Sequence, residues 1–189
     1  RIYAKAEHLN PGGSIKDRIA RFMLEEAIRR GDLRPGMTIM EPTSGNTGIG
    51  MALVGLRLGY PVVIVMPENM SEERKKIIAA LGAGLVLTPP EENIAGAVRE
   101  VERRRKVDKS IYVPQQFDNP DNARTHFLAT GPELWNQMDR HVDVFVSGLG
   151  SGGTLQGIGS FLKERDPQTH IVAVEPKNVS ALLGHEPGL

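Results

Sequence analysis

The 189-residue sequence contains no cysteine, a single tryptophan and only 5% aromatic residues, and its 23 lysines and arginines are balanced by 23 aspartates and glutamates. Each scarcity excludes something. Without cysteine there is no disulfide scaffold, no thiol nucleophile and no cysteine-ligated metal or cluster, which is compatible with a reducing compartment. With no net charge there is no basic footprint for a nucleic acid or an anionic membrane surface, so neither is expected as a partner. Apolar runs such as Val62 to Met66 have the length of one buried strand, far short of the roughly 20 residues that span a bilayer, and no membrane helix is expected. Metal chemistry is not expected either. His8, His126, His141, His170 and His185 are dispersed with no HExxH or paired spacing, and each reads as an ordinary surface or hydrogen-bonded histidine. Neither a GxxxxGK phosphate loop nor a GxSxG elbow occurs. The sequence opens on Arg1 without a charged-then-apolar leader and stops just after Pro187-Gly188, so it is expected to be truncated at both ends.

What is present is a regular alternation. Short β-branched runs alternate with longer amphipathic segments, the pattern of βαβ units on a parallel-type sheet flanked by helices, and the fold class is therefore α/β. Strands are expected at Ile2 to Ala6, Thr38 to Glu41, Val62 to Met66, Leu85 to Thr88, Ile111 to Val113, Val142 to Val146 and Ile171 to Val174. Helices are expected at Asp17 to Arg30, Asn46 to Leu58, Ser71 to Leu81, Ile94 to Lys106, Asn122 to Met138 and Gly153 to Lys163. In the first helix Ile19, Phe22, Met23 and Ile28 are expected on the buried face, opposite Arg18, Arg21, Glu25 and Arg29. The proline-rich stretch Pro114 to Pro120 could mark a boundary between two α/β lobes. Glu100 to Lys106 is a charge cluster of the kind that faces solvent. Phe127 and Trp135 read as core.

Parallel sheets gather ligands beyond the carboxyl ends of their strands, which directs attention to three loops. In Asn10-Pro11-Gly12-Gly13-Ser14-Ile15-Lys16-Asp17-Arg18, Ser14 and Asp17 fit a helix capping box. Lys16 does not serve the helix, because a cation in the first turn opposes the macrodipole. The same field lowers the amine's pKa and raises the fraction able to attack a carbonyl. In Glu41-Pro42-Thr43-Ser44-Gly45-Asn46-Thr47-Gly48, a cap needs one residue, while four polar donors between glycines suit a carboxylate or phosphate. In Gly148-Leu149-Gly150-Ser151-Gly152-Gly153-Thr154, the glycines let backbone N–H groups approach an anion at a helix start. Gly148, Gly150 and Gly153 also satisfy G-x-G-x-x-G, with Glu175 about 20 residues on, so a dinucleotide-binding domain is a rival reading that leaves the other two loops without a task. One ligand system uses all three loops: pyridoxal phosphate with an amino-acid substrate.

The segments NPGGSIKDR, EPTSGNTGIG, GYPVVIVMPENMSEERK, GAGLVLT, QQFDNPDN, TGPELW, GSGGTLQGIG and VAVEP follow one another in an order that resembles the β-family of pyridoxal-phosphate enzymes. This is the tryptophan synthase β-like, fold type II group, and within it the cysteine synthases (O-acetylserine sulfhydrylases) are most similar, with cystathionine β-synthase close behind. The resemblance implies a smaller lobe over residues 9–119 and an incomplete larger lobe from residues 1–8 and 120–189. It implies that Lys16 is the Schiff-base lysine and that Asn46 meets the cofactor's ring hydroxyl. Gly150, Ser151, Gly152, Gly153 and Thr154 would hold the phosphate of pyridoxal 5'-phosphate, and Thr43, Ser44, Gly45, Thr47 and Gln116 the substrate carboxylate. The reaction implied is replacement of the β-substituent of O-acetylserine, or a related activated serine, by sulfide through an aminoacrylate, with homocysteine as nucleophile in the alternative. A homodimer, a cytoplasmic location, a small-molecule amino-acid substrate and sulfide as partners are implied with it. The sequence departs from the family pattern at Ser151, where threonine is usual, at Ala129 within TTGPE, and at Ala123-Arg124 within NPxxxH. The hydroxyl residue that the resemblance implies against the pyridine nitrogen would lie in the portion absent from this sequence.

Overall fold

A computed structural model describes residues 1–43 and 45–175. It divides into two compact units, one from Ala6 to Gln115, the other from Arg1–Lys5 and the described chain from Gln116 onward. Each is considered by itself.

The Ala6–Gln115 unit contains α1 (Lys16–Arg30), β1 (Thr38–Pro42), α2 (Asn46–Arg57), β2 (Val62–Pro67), α3 (Glu72–Leu81), β3 (Gly84–Thr88), α4 (Asn93–Val107) and β4 (Ile111–Tyr112). The strands pair in parallel in the order β3-β2-β1-β4. Successive side chains of a strand point to opposite faces, and both faces here are apolar. Ile39, Val62, Ile64 and Met66 join a core with Ile19, Ala20, Met23, Leu24 and Ala27 of α1, Ile49 and Met51 of α2 and Ile78 of α3. Met40 and Val65 join a second core with Ile111, Val113 and Ala97 and Val101 of α4. Helix α2 shows which effect decides. Its three glycines, Gly48, Gly50 and Gly55, each cost about 1 kcal/mol in helix propensity. Burying side chains such as Ile49 and Met51 yields roughly 1.5–3 kcal/mol apiece, so packing sets this helix against its own composition.

The second unit contains α5 (Pro120–Thr125), a π-helical turn (His126–Thr130), α6 (Gly131–Gln137), β5 (Val144–Gly148), α7 (Gly153–Arg165) and β6 (His170–Val174). Strands β5 and β6 pair in parallel with α7 as the crossover. Val142, Ile158, Phe161 and Leu162 form its core, with Phe127, Trp135, Phe145 and Ile171 packed against them. The other face of the β5–β6 pair carries Val144, Val146, Val172 and Val174, each between 41% and 57% exposed.

Several expectations need correction. Residues 2–6 form no strand; Ile2 and Tyr3 are exposed, and an extended segment without a ladder partner has nothing to hold it as sheet. The buried stripe of α1 runs through Ile19, Ala20, Met23, Leu24 and Ala27, so Ile28, about 110° from its centre at 100° per residue, is exposed and Phe22 is half-buried at the opposite flank. The single helix expected from Asn122 to Met138 is three segments. Pro132 follows the π turn and has no N–H to give the carbonyl one turn back, so the regular ladder cannot run through it. Strand β5 begins at Val144 rather than Val142, whose carbonyl instead accepts the Thr169 hydroxyl at 2.9 Å.

Candidate active site

Helix α1 starts at Lys16, at the end of a braced loop. The Arg18 guanidinium donates through Nε and a terminal nitrogen, each at 2.8 Å, to the two carboxylate oxygens of Glu7. Glu7 also accepts from the Asn10 amide, which donates in addition to the Ser14 carbonyl at 3.0 Å. Such a bidentate pair fixes direction as well as distance. The expected capping box is not formed: Ser14 Oγ accepts the Lys16 N–H at 3.1 Å, while the Asp17 carboxylate accepts from Gly12 N–H. The tight Gly12-Gly13 turn brings that N–H within Asp17's reach, so the acid closes the loop instead of reaching back to Ser14.

Lys16 is half-buried, and among the described residues its Nζ has no hydrogen bond or ion pair. Burial holds this amine below the usual lysine value. The cause is loss of hydration of the charged form, with no carboxylate among the described residues to offset it. A lysine without a counter-ion, set where a helix dipole also disfavours charge, is a nucleophile and base in waiting.

The second expected loop leads into α2, which packs on α1 within the same unit. Helices α1 and α2 touch where a methyl group on Gly50 would lie 3.0 Å from the Lys16 carbonyl oxygen and 3.3 Å from Ala20 Cβ. The second turn of α2 therefore stands beside the first turn of α1. Thr43 continues the β1–β2 ladder by donating its N–H to Val65 at 3.0 Å, and its hydroxyl accepts the Gly45 N–H at 3.2 Å. Thr43 and Thr47 are buried, Gly45 half-buried and Asn46 exposed at the first position of α2. No side chain among the described residues caps that helix, whose Gly48 N–H donates to the Gly45 carbonyl at 3.1 Å, and the positive end of its dipole suits an anion. Ser44 lies outside the described residues.

In the second unit the glycine loop joins β5 to α7. Gly152 occupies the left-handed region at φ 81°, which turns the backbone so that α7 starts at Gly153 without a side-chain cap. A methyl group on Gly148 or Gly150 would meet no atom within 4 Å, so the space beside the loop backbone at these two glycines is open. Uncapped N–H groups, a left-handed glycine and two hydroxyls, Ser151 and Thr154, together fit a phosphate. Gln116 is buried in this unit, and its carbonyl shares the Asn122 amide with Ser151. The strand–loop–helix–strand context also matches what a dinucleotide fingerprint asks for, so local geometry alone does not separate the two ligands.

Three residues were not singled out in the sequence. Asn122, His126 and Thr130 are buried beneath the glycine loop, at a spacing of four, and bond to its hydroxyls or to each other. Polar residues recurring every fourth position beside the apolar Phe127 are the signal that could have found them. The departures Arg124 and Ala129 fall on the exposed side of this segment, away from those bonds.

Comparison with known proteins adds an independent line. Residues 1–186 match the family model described as pyridoxal-phosphate dependent enzyme. A cysteine synthase of Staphylococcus aureus is 50% identical over 188 residues, 99% of this chain and 60% of the relative. The chain thus spans about 60% of the length of the curated relatives it matches. Among solved structures, a cysteine synthase of Entamoeba histolytica has a TM-score of 0.92 at 42% identity, covering 98% of this chain and 55% of the other. An O-acetylserine dependent cystathionine β-synthase of Helicobacter pylori has the same score and identity, covering 99% and 61%. These matches run through all three loops and decide against the dinucleotide reading: the chain belongs to the family of pyridoxal-phosphate-dependent enzymes, with the fold type II architecture of the cysteine synthases.

Proposed function

We propose that the protein containing this chain is a cysteine synthase, replacing the acetate of O-acetylserine with sulfide to give cysteine and free acetate. The observation that carries this is Lys16: an amine half-buried, held below its usual pKa and without an acid partner among the described residues, at the head of a braced helix. Lys16 would hold pyridoxal phosphate covalently through Nζ, Asn46 its ring hydroxyl, and Gly150, Ser151, Gly152, Gly153 and Thr154 its phosphate. When bound, the cofactor supplies a pyridine ring that takes up the negative charge left at the substrate's α-carbon.

The chain's own residues do the rest. Thr43, Gly45 and Thr47, with Ser44 and Gln116, bind the substrate carboxylate and fix which α-bond faces the lysine. Lys16 Nζ, whose pKa is lowered by burial, accepts the α-proton as a general base. Acetate leaves from the β-carbon, and sulfide adds there. The smaller lobe is assigned to residues 9–119 and part of the larger to 1–8 and 120–189. A homodimer and a cytoplasmic location rest on the family resemblance; no helix among the described residues is long and apolar enough to cross a membrane.

The full-length protein, given O-acetylserine and sulfide, is expected to form cysteine, and Lys16→Ala to reduce turnover by at least about a thousandfold while removing the borohydride-reducible cofactor adduct. An adduct at wild-type yield in that variant refutes the assignment. The likeness to the Helicobacter pylori enzyme favours a second arm with homocysteine. A higher kcat/KM with homocysteine than with sulfide would reassign the protein to cystathionine formation.

A further inference from the structure

Beneath the glycine loop lies a polar cluster that the proposed reaction does not use. The Asn122 amide nitrogen donates to the Gln116 carbonyl at 2.8 Å and to Ser151 Oγ at 2.9 Å. A carbonyl oxygen can only accept, so this contact fixes the amide's orientation and makes Asn122 the donor toward Ser151 as well. One helical turn on, His126 is fully buried, with Nε2 3.1 Å from Thr154 Oγ1 and Nδ1 2.9 Å from Thr130 Oγ1. Thr130 is fully buried too. Close approach makes these bonds possible: a methyl on Gly153 would collide with the Asn122 side chain, and one on Gly157 would lie 2.6 Å from His126 Cβ.

We propose that Asn122 and His126 are positioning residues that satisfy the oxygen lone pairs of Ser151 and Thr154 from below, so that both hydroxyl protons are directed at the cofactor's phosphate. A hydroxyl has one proton, and an oxygen already accepting an N–H gives that proton elsewhere. For Ser151 the donor is fixed by the amide. For Thr154 it follows when Nε2 carries the ring proton, and Thr130, donating to Nδ1, holds that tautomer. A phosphate above Thr154 favours the same arrangement, because a hydrogen bond to an anion is stronger than one to a neutral ring. The π turn places His126 under α7, a distortion of the kind that recurs where a helix serves a ligand.

This inference rests on the reading of the loop as a phosphate site, and the experiment separates the two. In the full-length protein stripped of cofactor, the dissociation constant of pyridoxal phosphate is measured by equilibrium dialysis, and the ³¹P shift of the bound phosphate is recorded. His126→Leu and Thr154→Val are each expected to weaken binding about tenfold or more, with the double variant no weaker than Thr154→Val alone. His126→Gln, which retains a donor near the Nε2 position, is expected to recover most of the loss and the wild-type ³¹P shift. Asn122→Ala and Ser151→Ala are expected to show the same lack of additivity. Multiplicative losses in either double variant, or a wild-type constant and ³¹P shift in His126→Leu, would overturn the relay. Should His126→Leu fail to fold, Thr130→Val keeps the ring and removes only its partner; it is expected to move the ³¹P shift and weaken binding several-fold, and an unchanged shift and constant would equally refute the proposal. A wild-type protein that takes up no pyridoxal phosphate would defeat the proposed function itself, whereas wild-type uptake with additive variants defeats only the relay.

Discussion

Two alanine substitutions on one helix provide a sharp test of how α7 is seated. A methyl group at position 157 would stand 2.6 Å from His126 Cβ and 2.9 Å from Phe127 N, about 1 Å inside ordinary carbon contact. Neither atom can swing aside by a rotamer change, so α7 or the π turn must move. Overpacking of this kind costs about 1–3 kcal/mol, and rigid neighbours place it at the upper end. Alanine recovers about 1 kcal/mol of helix propensity over glycine, leaving a net loss of about 2 kcal/mol for Gly157→Ala. Gly159 is the control: its methyl would lie 3.3 Å from Ile171 Cγ2, a side-chain group able to yield a few tenths of an ångström. There the propensity gain should cancel or exceed the strain, so the two variants are expected to differ by about 2–3 kcal/mol. Urea unfolding of the full-length protein, followed by circular dichroism with wild type alongside, reads the difference. Displacing His126 also lengthens its 3.1 Å contact with Thr154, so Gly157→Ala should lose cofactor affinity and Gly159→Ala should not. If Gly157→Ala were as stable as Gly159→Ala, the close seating of α7 on His126 would be wrong.

Other outcomes follow from the same geometry. Lys16→Met should stabilise the cofactor-free protein at neutral pH: the buried amine has a lowered folded-state pKa, so the unfolded chain binds more protons between that value and about 10.4, and wild-type stability rises with pH across this window. The advantage of Lys16→Met should therefore shrink as pH rises, and a pH-independent difference in urea midpoint would contradict it. Glu41 accepts the Gln115 N–H at 3.0 Å and holds that residue in the left-handed region at φ 58°. Glu41→Leu should cost about 1 kcal/mol more than Glu41→Gln, which keeps an acceptor, as read from the same unfolding curves. On α4, the Arg103 and Arg104 guanidiniums hold the Glu100 carboxyl down to about 2. Because the group is at the surface, Glu100→Gln should cost less than about 1 kcal/mol at pH 7. That cost should persist above the ordinary carboxylate value and vanish as pH falls through about 2.

The sequence was most legible where local chemistry and periodicity agree. Strands β1 to β4 alternate into two apolar layers, and the helices between them carry one apolar stripe each, so their placement could be read to within a residue or two. Lys16 was conspicuous because its position contradicts helix energetics. Less legible were features settled by distant partners. Asp17 matched a capping box by spacing, yet the Gly12-Gly13 turn offered it a nearer donor. Ile28 looked like the end of a stripe whose centre lies elsewhere. His126 passed as an unremarkable histidine because its meaning depends on Thr154, 28 residues away and brought close by glycines whose role is invisible without their neighbours.

The outward-facing valines of β5 and β6 bear on how firmly the glycine loop is founded. A pair of strands is marginal by itself in water, and four half-bare β-branched side chains lend it little on that side. Gly148, the last residue of β5, is where the anion-binding turn departs. Rigidity at that departure point thus rests on the opposite face, where Phe145 and Ile171 pack on Ile158, Phe161 and Leu162, and weakening that packing would loosen the grip on an anion without altering any atom that touches it.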